Sequence, residues 1–141
     1  MEVTPTTEND VQRWLDEYRE AWLSYDGAAI AALFSEDASY RYHPWDEPVI
    51  GREAIVQSWL TPDGSASGRD EPGTYDGEYR PWMVAGDVGV AVGRSFYWSD
   101  ASRVTLERTY HNCWLLRFDA DGRCREFTEL FMLEPRPKGE S

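Results

Sequence analysis

The sequence predicts an α+β domain in which three N-terminal helices pack on one face of a curved antiparallel sheet and enclose a pocket. Helical spacing of apolar residues dominates the first sixty positions, and strand-like alternation dominates from residue 78 onward. With 141 residues, the chain is long enough for one core. Its aromatic content of 14%, including seven Trp, either fills that core or lines a cavity.

Three segments carry the helical pattern. Residues 7–10 (TEND) have the spacing of a capping box, with Asp in place of the usual Glu, and predict a first helix over 8–25. Asp26 and Gly27 end this helix and begin a second, short one, so the two form a hairpin. After Gly51, apolar residues return to helical spacing and predict a third helix of about ten residues.

The strands follow from alternation and turn residues. Residues 38–43 alternate and predict a short strand that Pro44 ends. An antiparallel meander is expected over 78–85, 88–98, 104–118 and 123–133. The stretch 61–77 has no periodicity and is predicted to be an exposed loop, a candidate lid. We expect one domain over 1–134 and a disordered tail over 135–141.

Charge and motif content exclude several function classes. The formal charge of −12 argues against nucleic acid and anionic membranes as partners. No apolar run of ~18 residues and no secretory leader occur, which predicts a soluble cytoplasmic protein. Cys113 and Cys124 form no metal motif and are expected to be structural thiols. The absence of phosphate-binding or dinucleotide motifs predicts no cofactor.

The last two predicted strands place polar and aromatic side chains on one sheet face. A four-residue turn over 119–122 pairs Asn112 with Glu129, Trp114 with Phe127, and Tyr110 with Phe131. A two-residue turn at 121–122 would slide these pairs by two positions and keep the same face. The face is therefore predicted more firmly than the register.

Glu129 is the first candidate for acid/base catalysis. Aromatic neighbours would leave its carboxylate poorly hydrated and raise its pKa toward neutrality. Asn112 can orient that carboxylate or hold a substrate carbonyl, and the hydroxyl of Tyr18 or Tyr42 can donate to an oxygen gaining negative charge. Alternatively, Glu129 and Asn112 satisfy one another inside the sheet, and the two Tyr are core residues.

His43 is an alternative proton shuttle. It could form a metal site with Asp46 or Glu47, but a chain with two His is not expected to hold a metal. The remaining aromatic candidates are assigned to ligand contacts: Trp22, Phe34, Tyr40, Trp59, Tyr110, Trp114, Phe127 and Phe131. Trp residues at helical spacing also fit a filled core, and a cavity of ~300 Å³ or more around Glu129 would separate the two interpretations.

Several short motifs occur in an order that is typical of one superfamily. They are residues 31–38 (AALFSEDA), 47–55 (EPVIGREAI), 116–123 (LRFDADGR) and 126–131 (EFTELF). From about residue 8 to 133, the chain therefore resembles the nuclear transport factor two-like superfamily, which includes SnoaL-like polyketide cyclases and ketosteroid isomerases. The resemblance implies a cone-shaped α+β fold whose concave sheet face lines a pocket.

The resemblance also implies residue roles. Tyr18 lies sixteen residues before Phe34, where ketosteroid isomerases place their oxyanion-hole Tyr. The position of their base falls on Tyr42, or on His43 if one residue is inserted, and that of their protonated Asp falls on Trp114. Two of these three isomerase groups are thus replaced.

Limonene-type epoxide hydrolases of the same superfamily use an Asp on the last strand, and Glu129 matches its position. Their Arg-x-Asp pair is missing, since residues 94–96 read RSF and 108–110 read RTY. The resemblance implies a cofactor-free enzyme that acts by acid/base catalysis on a small hydrophobic organic ligand, of cyclase, isomerase, dehydratase or hydrolase type.

The alternative function is a non-catalytic ligand-binding or dimerisation module. The outward side chains of the strand predicted over 104–118, His111, Cys113 and Leu115, form a candidate homodimer surface. Substrate identity does not follow from any of these residues.

Overall fold

A computed structural model describes residues 6–60 and 73–135. Its elements run in the order α1 Glu8–Ser24, α2 Gly27–Ala32, β1 Phe34–Arg41, β2 Val49–Ile50, α3 Arg52–Leu60, β3 Tyr75–Ala85, β4 Val88–Trp98, β5 Leu106–Phe118 and β6 Cys124–Leu133. The predicted α+β class is confirmed. The candidate lid, apart from residues 73–77, and the predicted tail, apart from Pro135, lie outside the described residues.

The helix boundaries follow from capping side chains. The Thr7 side chain accepts from the Asp10 backbone N–H at 3.1 Å, and the Asp10 carboxylate accepts from the Thr7 N–H at 3.0 Å, which completes the predicted capping box. Tyr25 ends α1 in the left-handed conformation, with φ at 51°. The Asp26 carboxylate then accepts from the Ala28 N–H and begins α2, as predicted.

The sheet has six strands in the order β2-β1-β6-β5-β4-β3. The predicted antiparallel meander is confirmed for β3 to β6. The expectation of a wholly antiparallel sheet is corrected at β1, which pairs in parallel with β6. Parallel neighbours need a long crossover, and the whole chain between β1 and β6 supplies it.

Two strands begin earlier than predicted. β1 starts at Phe34 instead of residue 38. The prediction missed this start because two buried residues, Phe34 and Ser35, are followed by two exposed ones, Glu36 and Asp37, and this pattern does not alternate. β3 starts at Tyr75, inside the stretch predicted to be a loop. The two-residue strand β2 was not predicted, since a strand of this length has no detectable period.

The register of the last hairpin differs from the four-residue-turn prediction and follows the two-residue alternative. Trp114 lies opposite Glu129, and Asn112 lies opposite Phe131. A bulge between Arg117 and Phe118 accommodates the odd residue next to the turn, and the Asp119 carboxylate accepts from the backbone N–H groups of residues 121 and 123. The predicted face is retained because the slide is by two positions.

Aromatic side chains join the helices to the inner face of the sheet. Trp14 of α1 packs edge-on against Phe34 and Phe118, and its indole N–H donates to the Leu33 carbonyl at 2.9 Å. Trp22 of α1 stacks on Trp59 of α3 with ring centroids 4.2 Å apart. These contacts fill part of the space between the helices and the sheet.

Candidate functional site

A cavity of about 320 Å³ occupies the remaining space between α1 and the inner face of the sheet. It is lined by Tyr18, Trp22, Tyr40, Tyr42, Tyr75, Tyr79, Ser95, Tyr97, Arg108, Tyr110, Asn112, Glu129 and Phe131. Its volume falls in the range of small-ligand sites, from about 300 Å³ upward. Four of the five catalytic candidates, Glu129, Asn112, Tyr18 and Tyr42, therefore line one cavity, and His43 does not.

Glu129 presents the carboxylate of this cavity. Both the Trp114 indole N–H and the Asn112 side-chain amide, the latter at 3.4 Å, donate to its Oε2. Burial raises the pKa of Glu129 to about 8, and the two donors offset only part of that effect. The group therefore titrates in the range that general acid/base catalysis requires.

A chain of hydrogen bonds leads to this carboxylate from β3. Ser95 Oγ donates to Asn112 Oδ1 at 2.8 Å. Because this bond uses the single Ser95 proton, Ser95 Oγ accepts from the Tyr79 hydroxyl at 2.7 Å, and the Tyr79 oxygen accepts from Tyr75. All donors in the chain thus point toward Glu129, which favours its charged form.

Two glycines make room for Tyr79. Gly77 precedes Tyr79 on the same face of β3, and Gly93 lies opposite Tyr79 on β4. A Cβ at either glycine would lie well inside van der Waals distance of the Tyr79 side chain. The ring can therefore lie along the sheet, with its hydroxyl between Tyr75 and Ser95.

The hydroxyls of Tyr18, Tyr40 and Tyr42 differ in whether they can donate a hydrogen bond to a ligand. Burial raises the pKa of Tyr18 and of Tyr40 well above the ordinary range, so both keep their protons and stay donors. Ser58 donates to the Ile55 carbonyl, and its oxygen therefore accepts the Tyr42 proton at 2.8 Å. Tyr42 can donate to a ligand only if this bond breaks.

The predicted ligand-binding aromatics divide into two groups. Trp22, Tyr40, Tyr110 and Phe131 line the cavity. The other four are at most 1% exposed and belong to the core: Phe34, Trp59, Trp114 and Phe127. Of these, Trp114 still acts on the site, since it binds Glu129 through its indole N–H.

His43 lies outside this cavity. Its Nδ1 bonds the Asp46 carboxylate at 2.8 Å, and its ring stacks on Trp45 with centroids 5.0 Å apart. It borders a neighbouring depression of about 640 Å³ beside β5 and β6, which shares Asn112, Glu129 and Phe131 with the cavity. Within residues 6–60 and 73–135, no group of three or more His, Cys, Asp or Glu is placed to hold a metal ion.

Sequence reasoning missed five groups that the structure brings to the site: Tyr75, Tyr79, Ser95, Tyr97 and Arg108. Ser95, Tyr97 and Arg108 share the inward parity of their strands, and this was the available signal for all three. Tyr75 stood within the stretch predicted to be a loop, so its face was not assigned. The pairing of β3 with β4, which places Tyr79 beside Ser95, was not derivable from spacing alone.

A family model described as the SnoaL-like domain matches residues 11–127, most of the chain. The chain belongs to this family. The superfamily resemblance in the sequence motifs is thereby confirmed. None of the curated proteins matches the chain in sequence.

The fold of this SnoaL-like domain is similar to a solved structure described as an LEH-like epoxide hydrolase from M. tuberculosis. The TM-score is 0.59 at 13% sequence identity, over 89% of this chain and 84% of the other. At this identity, the similarity supports the fold alone. Among the described residues, no helix is long and apolar enough to cross a membrane.

Proposed function

We propose that this SnoaL-like domain is a cofactor-free enzyme that acts on a small hydrophobic organic molecule by proton transfer through Glu129. One observation carries the proposal: a carboxyl group with a pKa raised to about 8 faces a cavity of about 320 Å³ with aromatic walls. Near neutral pH, such a group can both give and accept a proton.

The site contains the parts that a proton transfer requires. Glu129 takes a proton from an acidic C–H or O–H of the substrate and returns it at another atom. The hydroxyls of Tyr18 and Tyr40, held protonated by burial, stabilise an oxygen that gains negative charge. Asn112 and Trp114 hold the carboxylate in place during both steps.

The number of carboxylates favours one reaction class. Among the described residues that line the cavity, Glu129 is the single acid. One carboxyl that removes and returns a proton is sufficient for an isomerisation or cyclisation, whereas epoxide hydrolysis with separate acid and base groups needs a second. Epoxide hydrolysis is the second candidate, because the solved structure with the similar fold is described as an epoxide hydrolase.

The proposal is tested first by ligand and then by turnover. A thermal-shift screen with steroids, aromatic polyketides, terpenes and epoxides identifies compounds that stabilise the protein, about 2.7 kcal/mol at 100 times the Kd. Turnover of each stabilising compound is then measured by mass spectrometry. Conversion of epoxides alone would favour the hydrolase candidate.

Glu129→Gln is expected to reduce turnover by about 10²- to 10⁴-fold, the usual contribution of a general acid or base, while ligand binding is retained. Glu126→Gln is the matched control, because Glu126 is exposed and pairs with Arg117 on the other face. Equal turnover by wild type and Glu129→Gln would contradict the enzyme proposal. Binding without any turnover would favour a ligand-binding module.

We also propose that a second copy of this chain covers the outer face of β5 and β6. Leu115 is 47% exposed and Met132 is 76% exposed on this face, next to Leu130 and the partly buried Cys113. An apolar sheet face of this kind usually finds a partner, and a twofold dimer covers the same patch on both copies.

A further inference from the structure

Arg108 brings a positive charge to a cavity that is otherwise aromatic and acidic. It lies on β5 with the same parity as Asn112, so it belongs to the inner face. Its guanidinium lies 4.7 Å from the ring centroid of Tyr97, and its Nη1 donates to the Tyr110 hydroxyl at 3.2 Å. The aromatic contacts fix the orientation of the group toward the cavity.

The hydrogen-bonding capacity of Arg108 is largely unused by the described residues. Its Nε is buried without a hydrogen-bond partner among them. The nearest carboxylate oxygen, on Glu107, is 3.9 Å from this Nε, too far for a hydrogen bond, and the Glu107 side chain is 51% exposed. A guanidinium held this way retains donors for an anion that enters the cavity.

Arg108 and Glu129 occupy different ends of the cavity. Arg108 precedes Asn112 by four residues on one strand, a separation of about 13 Å between Cα atoms. Asn112 lies next to Glu129, whereas Arg108 lies near the start of β5. Tyr110 and Phe131, whose rings meet edge to face at 5.5 Å, line the path between them.

We propose that the ligand of this cavity is an organic carboxylate, whose carboxyl group pairs with Arg108 and whose apolar body extends along Tyr110 and Phe131 toward Glu129. The inference rests on the proposed function for the cavity itself and adds the ligand class. A monoanion fits better than a phosphate, because the described lining residues hold one cation and one acid. The planar guanidinium matches a carboxylate through two parallel hydrogen bonds.

Matched acids and amides test the charge requirement directly. Binding of 2-naphthoate, 2-naphthylacetate and 3-(2-naphthyl)propanoate is compared with that of their primary amides by calorimetry at pH 7. At least one acid is expected to bind wild type about 10-fold or more tightly than its amide, since a hydrogen-bonded charge contributes that much. The preference should weaken as salt is added.

Arg108→Met should abolish the preference for the acid and leave amide binding unchanged, since Met keeps most of the aliphatic packing. Arg108→Lys keeps the charge and should retain part of the preference, which guards against a folding defect in the Met variant. Arg94→Met is the control, because Arg94 is exposed on the outer face, next to Glu78. Circular dichroism and melting temperature establish that each variant is folded.

Any one of three results would overturn the proposal. Either no acid binds wild type with a Kd below about 10 mM, or acids and amides bind with equal affinity, or Arg108→Met still binds the acid more tightly than its amide. The failure of the proposed enzyme function is a separate result. Glu129→Gln should reduce turnover. The same variant should still bind the acids more tightly than the amides, because that preference comes from Arg108.

Discussion

Burial of Glu129 disfavours its ionised carboxylate, whereas the hydrogen-bond donors Trp114 and Asn112 favour it. Burial wins, so its pKa is about 8 in the folded protein, compared with an ordinary value of 4.5. The folded state therefore binds more protons than the unfolded state between these values, and this group lowers the free energy of unfolding as pH rises from about 4.5 to 8. Below that interval, it makes no difference to stability.

Glu129→Gln should remove this dependence. We expect the variant to be more stable than wild type by on the order of 4–5 kcal/mol at pH 9, and about equally stable at pH 4.5. Urea denaturation at both pH values measures the difference, and Glu126→Gln again serves as the exposed control. A stability difference that is the same at both pH values would contradict the raised pKa.

Tyr79 carries the hydrogen-bond chain from Tyr75 to Ser95, so Tyr79→Phe should interrupt it. We expect a loss of about 1–2 kcal/mol, because the Tyr75 hydroxyl loses its acceptor. The pKa of Glu129 should rise further, since Asn112 is then less polarised toward it. A carbon-13 NMR titration of the Glu129 carboxyl measures this rise.

Tyr42→Phe is the matched control for that titration. Its hydroxyl bonds Ser58 on α3 and takes no part in the chain from β3. Both variants lose one Tyr hydroxyl at the same cavity, yet only Tyr79→Phe should move the Glu129 titration. Equal pKa values in the two variants would mean that the chain does not act on the carboxylate.

Part of the site was predictable from parity. Glu129 and Asn112 share one face in either register of the last hairpin, so their meeting did not depend on the turn. The contact between Ser95 and Tyr79 was not predictable, because it depends on the β3–β4 register and on the space left by Gly77 and Gly93. Spacing along one strand carries no information about the neighbouring strand.

At the level of elements, β3 and β4 form a platform for Tyr79. Gly77→Ala should destabilise the protein by about 1–3 kcal/mol, because the new Cβ would collide with the Tyr79 ring and force it out of its position. The variant should also lose affinity for cavity ligands. Chemical denaturation and the calorimetric assay measure the two effects.

Gly27→Ala is the control for this prediction. It lies at the start of α2, where an added Cβ meets side chains of Leu60 and Val56 at an ordinary 3.7 Å. The substitution should be neutral or slightly stabilising, since Ala is the better helix former. If Gly77→Ala were equally harmless, Tyr79 would not depend on the platform.

The predictability of the elements also has a physical pattern. β4 matches its predicted bounds, Val88–Trp98, because turn residues stand at both ends and apolar residues occupy its interior. The predicted β1 was too short, because the exposed Glu36 and Asp37 interrupt the alternation near its start. Its parallel pairing with β6 joins residues that are far apart in sequence, and no local pattern records such a contact.

At the scale of the whole molecule, the proposal that a second copy covers the outer sheet face predicts the oligomeric state. Sedimentation at micromolar concentration should show a dimer for wild type and a monomer for Leu115→Glu, which places two charges in the proposed interface. Val104→Glu is the control, since Val104 is 84% exposed between β4 and β5. A monomeric wild type would contradict the proposal.

The position of β6 between β1 and β5 has a consequence for synthesis of the protein. On the ribosome, the helices and β1 emerge first, yet β1 gains its central neighbour only after residues 124–133 have been made. Until then, Phe34 and Tyr40 lack the Phe127 ring that covers them. A nascent chain that ends before residue 124 offers chaperones an aromatic surface, and the cavity around Glu129 forms only after translation has passed that residue.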